Sequence, residues 1–159
     1  MSTPQVMFDT EFREIQKLCN QLYHDANASV VFIVDKNGQP IAASGETENL
    51  DITSLASLTA GNIAATGGIA GLLEESEFST QFHEGEKSNI HIQIVAQRVI
   101  MVVIFDQRSS LGLVRLRMRK SAEELTAVLD RLLEKAQSPG VSSPLDQITD
   151  EDIENLFKE

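Results

Sequence analysis

The stretch TSLASLTAGNIAATGGIAGLL, Thr53 to Leu73, constrains this chain more than any other, because it has the spacing of a helix and the composition of a poor one. Wound at about 100° per residue, it sets Ala56, Ala60, Ala64, Gly67, Gly68 and Gly71, with Thr53 and Ser57, on one face. Leu55, Leu58, Ile69 and Leu73 fall roughly opposite. Its glycines, Gly61, Gly67, Gly68 and Gly71, each cost about 1 kcal/mol of helix propensity against alanine, roughly 4 kcal/mol together against a typical stability of about 5–15 kcal/mol. A face without side chains lets a second backbone or a broad protein surface come close, which would offset that cost. The expectation is a docking platform on the small face, with the bulky face on the chain's own sheet; close approach of the small face to that sheet is the alternative.

The 159 residues suffice for one domain with a core and an appendage, and fall short of two full domains. With 13 basic and 24 acidic residues the formal charge is −11, which argues against nucleic acid and anionic membrane surfaces as partners and favours a basic or mixed protein surface. The one cysteine, Cys19, cannot form an internal disulfide and fits a reducing compartment, so a cytoplasmic location is expected. No basic segment followed by an apolar run opens the sequence. The longest unbroken apolar run, Val99 to Phe105, is far short of the ~20 residues of a transmembrane helix, so neither export by that route nor membrane insertion is expected.

Apolar residues at Phe8, Phe12, Ile15, Leu18, Cys19, Leu22 and Ala26 predict a first amphipathic helix over 9–27. The period then changes. Val30 to Val34 and Ile41 to Ala43 read as two strands, and Asn37-Gly38 between them as a type I′ hairpin turn. Asp51 or Thr53 can cap the central helix, which Glu74-Glu75-Ser76-Glu77 ends. Phe78 to Phe82 reads as an edge strand, Asn89 to Val95 as a strand with one wetter face, and Val99 to Phe105 as the central strand covered on both sides, after a tight turn near Gln97-Arg98. The segment from Leu111 begins with RLRMRK, which alternates like a strand, but Leu111, Val114, Met118, Ala122, Leu125, Leu129 and Leu132 keep helical spacing. The order α-β-β-α-β-β-β-α predicts an α+β domain over 1–137: one five-stranded, largely antiparallel sheet between helices. SPGVSSP opens a flexible linker over 138–148. The acidic segment 149–159 carries Ile153, Leu156 and Phe157 on one side of a short helix that is marginal until bound; a solubilising disordered end is the alternative.

No set of residues has the spacing of a catalytic or metal site. His24, His83 and His91 lack metal-ligand spacing and cysteine partners, and satisfied or solvent-facing histidines are expected. Cys19 lies in the apolar stripe of the first helix, where an inert thiol belongs. The glycines at 61–71 sit within a helix and no Gly-Lys-Ser/Thr follows, so they form no phosphate loop. Neither metal nor cofactor is expected. Five of the 13 basic residues, Arg108, Arg115, Arg117, Arg119 and Lys120, fall within thirteen positions. Arg115, Arg119 and Lys120 form a candidate basic patch for an acidic partner or another copy's acidic tail, with a solvated helix face as the alternative. Arg98 and Arg108, at predicted strand ends, are candidates for an arginine finger.

VVFIVDKNGQPIAASGE, SLASLTAGNIAATGGIAGLL and SLGLVRLRMRKSAEEL together resemble a roadblock domain of the dynein light chain type. The DEDIENLF tail narrows the resemblance to bacterial members that regulate a small Ras-like GTPase in cell polarity and gliding motility. The resemblance implies a homodimer with paired central helices, a sheet continuous across the two copies, one GTPase bound per dimer, and a location at a cell pole. It implies GTPase activation without an active site of its own, by ordering the GTPase's catalytic residues. It also places GTPase contacts at Ala64 and Gly68, and has the C-terminal segment reach a separate surface of the GTPase and favour nucleotide exchange. A scaffold that recruits a GTPase or motor component without changing hydrolysis is the alternative.

Overall fold

The computed structural model describes residues 8–137. The linker at 138–148 and the segment 149–159, with Ile153, Leu156 and Phe157, lie outside the described residues. The order of elements is α1 (Asp9–Asp25), β1 (Val30–Asp35), β2 (Pro40–Gly45), α2 (Ile52–Leu72), β3 (Thr80–Glu84), β4 (Asn89–Val95), β5 (Val99–Phe105) and α3 (Leu111–Ala136). It matches the expected α+β order element for element. The strands form one sheet in the order β2-β1-β5-β4-β3, antiparallel at every pairing.

β5 is central because nothing in it tolerates an edge: VIMVVIF is apolar at every position, and all but Ile104 are fully buried. Its alternation divides the core. Val99, Met101, Val103 and Phe105, with Val31 and Ile33 of β1, face α1 and α3 and meet Ile15, Leu22, Met118, Leu125 and Leu129. Ile100 and Val102, with Val30, Phe32 and Val34, face α2. Each such side chain contributes roughly 1.5–3 kcal/mol of burial, so this strand anchors both layers. α1 and α3 are also joined at their edges, where Lys135 Nζ meets the buried Glu11 at 2.7 Å and Arg131 pairs with Glu14.

The β1–β2 turn departs from the expected chemistry. At 35–39 the Gly38 amide donates to the Asp35 carbonyl at 3.1 Å, Gly38 has φ +91°, and Asn37 keeps a negative φ. This is a type I turn closed by a left-handed glycine, and the type I′ reading of Asn37-Gly38 is corrected. Asp35 Oδ1 accepts the amides of Asn37 and Gln39, both at 2.9 Å, and that selects it. The two-residue turn with both residues at positive φ joins β4 to β5 instead, at Ala96 (φ 53°) and Gln97 (φ 57°). β3 begins two residues later than expected.

Ala96 and Gln97 hold a conformation that costs an L-residue about 1–2 kcal/mol. Gln97→Gly is expected to raise the free energy of unfolding by about 1 kcal/mol. Gly38→Ala should lower it by more, since its φ is left-handed and the added carbon would lie 3.1 Å from Ser57 Cα. Urea denaturation of the two variants beside the wild type measures both.

Candidate functional site

α2 starts at Asp51, whose carboxylate accepts the Ser54 amide at 3.1 Å and the Ser54 hydroxyl at 2.6 Å. These bonds, the hydroxyl's first, hold the Asp51 carboxyl below its ordinary range, so Asp51 and not Thr53 is the cap. The helix ends in a Schellman arrangement: the Glu75 amide reaches the Ala70 carbonyl at 2.8 Å, and Glu74 takes the left-handed position at φ 60°.

Between these ends the helix covers the sheet unevenly. Ile52, Leu55, Ala56 and Ile63 pack on Phe32, Ile92, Ile100 and Val102, with Thr59 and Ala60 also buried. Ala56 and Ala60 therefore belong to the packed side: they are 0% and 9% exposed, and the β1–β2 turn crosses them, with a carbon added at Gly38 falling 3.4 Å from Ala60 Cβ. The expected division into a bulky sheet face and a bare docking face is corrected. Leu58, Ile69, Leu72 and Leu73 are 72%, 52%, 87% and 62% exposed, and small residues occupy the contact because the turn lies too close for larger ones.

At mid-helix Gln81 of β3 acts as a strut. Asn62 Nδ2 donates to Gln81 Oε1 at 2.8 Å, and Gln81 Nε2 donates to Thr66 Oγ1 at 2.9 Å. Nothing in the sequence points to this trio beyond the polar alternation of Thr80 to Phe82. Past Thr66 only Ala70 is buried, and a cavity of about 300 Å³ opens between Lys36, Ile63, Gly67, Phe78 and Ile94.

Four of the expected platform residues, Ala64, Gly67, Gly68 and Gly71, are exposed, beside Gly61 and Ala65. A carbon added at Gly61, Gly67, Gly68 or Gly71 would meet nothing within 4 Å, so no contact among the described residues requires a glycine there. α2 is also long and apolar enough to cross a membrane by length and composition. Its packed first half and the Gln81 strut make it a layer of this sheet, and the apolar surplus lies on the uncovered side.

The other expected residues lie elsewhere. Arg115, Arg119 and Lys120 are exposed on α3, which packs on the sheet face opposite α2, so the basic patch and the platform are not brought together. Arg108 is tied down at the start of α3: its Nε donates to Asp106 Oδ1 at 3.0 Å, Nη1 to Glu46 at 3.0 Å, and Nη2 to Ser29 Oγ at 3.1 Å. Those bonds, Asp106's first, push the Arg108 pKa further up and bring Asp106 down to about 2. Arg98 is half-buried beside the β4–β5 turn. Cys19 is buried and donates to the Val31 carbonyl, and desolvation pushes its thiol up to about 12. His24 and His83 are exposed. His91 is neither solvent-facing nor fully satisfied: it is 2% exposed, its Nδ1 lacks a partner, and burial, then Arg115, push its pKa down. Among the described residues no three His, Cys, Asp or Glu side chains converge as metal ligands would.

An antiparallel sheet in this order, two helices on one face and one glycine-rich helix on the other, agrees with the family whose model matches residues 14–105, the Roadblock/LC7 domain. The chain belongs to the Roadblock/LC7 family. Among solved structures this roadblock chain is similar to MglB of Myxococcus xanthus, at 57% identity over 76% of this chain and 90% of that one, with a TM-score of 0.74. It also resembles the gliding protein MglB from Thermus thermophilus (24% identity, 82% and 94% covered, TM-score 0.67) and a Roadblock/LC7 domain from Streptomyces avermitilis (12%, 72% and 97%, TM-score 0.64). The last two likenesses bear on the fold alone. No curated protein sequence matches the roadblock chain.

Substitutions on the two sides of α2 should behave oppositely. Ala56→Arg and Ala60→Arg force a guanidinium into the packed side and should unfold the domain, whereas Ala64→Arg and Gly68→Arg should keep native circular dichroism and a denaturation midpoint close to that of the wild type. A second expectation concerns acid. Asp106 has a folded pKa of about 2 against an ordinary 3.8, so its stabilising effect is complete above about pH 4 and fades as pH falls through about 2. The stability difference between wild type and Asp106→Asn should therefore shrink on acidification, as denaturation at a series of pH values will measure.

Proposed function

We propose that this chain is a roadblock regulator of a small Ras-like GTPase of the MglA type, acting in the cytoplasm at a cell pole as a homodimer that receives one GTPase. The carrying observation is the uncovered half of α2, where Ala64, Gly67, Gly68 and Gly71 lie among exposed Ile69, Leu72 and Leu73 and added carbons would touch nothing. The similarity to Myxococcus MglB at 57% identity supports the same reading, and one related MglB structure is described with a tetrameric arrangement. Two α2 helices brought together by their glycines would form a broad apolar floor for the switch region of a GTPase.

Such a floor can speed hydrolysis without supplying chemistry. Hydrolysis by a Ras-like protein is limited by positioning and charge stabilisation, so a partner that selects the aligned switch conformation lowers the barrier by differential binding alone. α2 has no charged side chain to place near phosphate, and Arg108 is engaged by Asp106, Glu46 and Ser29. In this reading the arginine belongs to the GTPase, and the segment with Ile153, Leu156 and Phe157 makes a second contact that promotes exchange. The same uncharged face also suits a scaffold that holds a GTPase without changing its rate.

Single-turnover GTP hydrolysis by the cognate GTPase, with and without this protein, separates these readings. A rate raised at least about tenfold, equivalent to 1.4 kcal/mol, is expected. Unchanged hydrolysis with retained binding would leave the scaffold, and no binding would contradict both. Arg98→Ala and Arg108→Ala should each keep most of the stimulation, because a donated finger is worth about 10³ to 10⁵ in rate.

A further inference from the structure

The first ten residues of α3, LGLVRLRMRK, hold Arg115, Arg117, Arg119 and Lys120 and no acid, in a chain of net charge −11. Folding does not explain this placement. The N-terminal end of a helix carries the positive pole of its dipole, and Arg115 and Arg119 repel each other one turn apart. None of the four makes an ion pair among the described residues, and Arg117 Nε is buried without a hydrogen-bond partner. Gly112, Arg115, Leu116, Arg119 and Lys120 form an exposed ridge, with Leu116 at 59% exposure between the cations.

We propose that this ridge is the docking site of the chain's own C-terminal segment, residues 149–159. The segment supplies what the ridge lacks: Asp150, Glu151, Asp152 and Glu154 for the cations, and Ile153 for Leu116. The chain leaves α3 at Gln137, eighteen helical positions beyond Arg119, a distance of about 27 Å at 1.5 Å per residue. Residues 138–148 can span up to roughly 36–40 Å, so the segment reaches the ridge without disturbing α3. Covalent linkage sets an effective concentration on the order of mM, at which weak charge contacts suffice. The groove between α1 and α3 is a poorer receptor, because its lining mixes Glu14 and Glu124 with Lys17 and Arg131 and the Glu14–Arg131 pair is already made. A segment parked on α3 leaves α2 open on the other face, and any partner that takes the segment must first release it. This inference concerns the chain alone and stands apart from the GTPase reading.

Paramagnetic broadening in the full chain tests it, with a nitroxide on Lys158→Cys and the amides of 8–137 as reporters. Broadening centred on 112–123 is expected at about 0.1 M salt and should vanish at about 1 M, as the Debye length falls from about 10 Å to about 3 Å. Arg115→Glu with Arg119→Glu and Lys120→Glu should abolish it, leaving the spectrum of the remaining domain unchanged. Adding Asp150→Lys, Asp152→Lys and Glu154→Lys to that variant should restore it. Absent broadening, or broadening centred on α2 or the α1–α3 groove, overturns the proposal. So does equal broadening when isotope-labelled chains without nitroxide are mixed with nitroxide-bearing chains that carry no isotope label, since the segment would then come from a neighbouring copy.

Discussion

Seven consecutive apolar residues, Val99 to Phe105, hold the centre of the sheet, and both layers of the molecule are built on them. A strand buried on both faces demands cover on both, and the two covers are unequal. α1 and α3 close one side with Ile15, Leu22, Met118, Leu125 and Leu129, and join each other through Glu11–Lys135 and Glu14–Arg131. Among the described residues the other side has α2 alone, a single helix over a sheet five strands wide.

That inequality leaves one element packed along part of its length and exposed along the rest. The first half of α2 is committed: Ala56 and Ala60 are small because the β1–β2 turn, with Gly38 at its closest point, crosses them. Its second half is held at mid-helix by Gln81 through Asn62 and Thr66, then runs on with Ile69, Leu72 and Leu73 facing outward. Glycines that no neighbour within the described residues requires lower the stability of the isolated chain by helix propensity alone. A second protein surface at close range, as proposed for this chain, would offset that cost.

Much of this was legible in the sequence, because hydrophobic period is a local property. The continuous apolar run of β5, the alternation of β4 and the three-four spacing of α1 and α3 each report the number of covered faces directly. The sides of α2 were not legible in the same way. A helical wheel assigns bulky residues to the sheet, but here an incoming turn sets the clearance at Ala56 and Ala60, and a turn's approach is a tertiary fact. Turn chemistry failed for a related reason. Asn37-Gly38 favours a type I′ turn in isolation, yet the Asp35 carboxylate organises a type I turn around it, while sheet register imposes left-handed backbone on Ala96 and Gln97. The candidate arginines could be seen in sequence, but the engagement of Arg108 by Asp106, Glu46 and Ser29 joins residues as far apart as 29 and 108.

If the uncovered half of α2 receives a GTPase, as proposed, amide hydrogen exchange reads that surface most directly. Exchange is compared at one protein concentration with and without the partner GTPase loaded with a non-hydrolysable GTP analogue, so that self-association is constant. Slowing is then expected to concentrate at residues 61–73, with little change across the buried β5. Slowing confined to α1 and α3, with exchange at 61–73 unaltered, would contradict it.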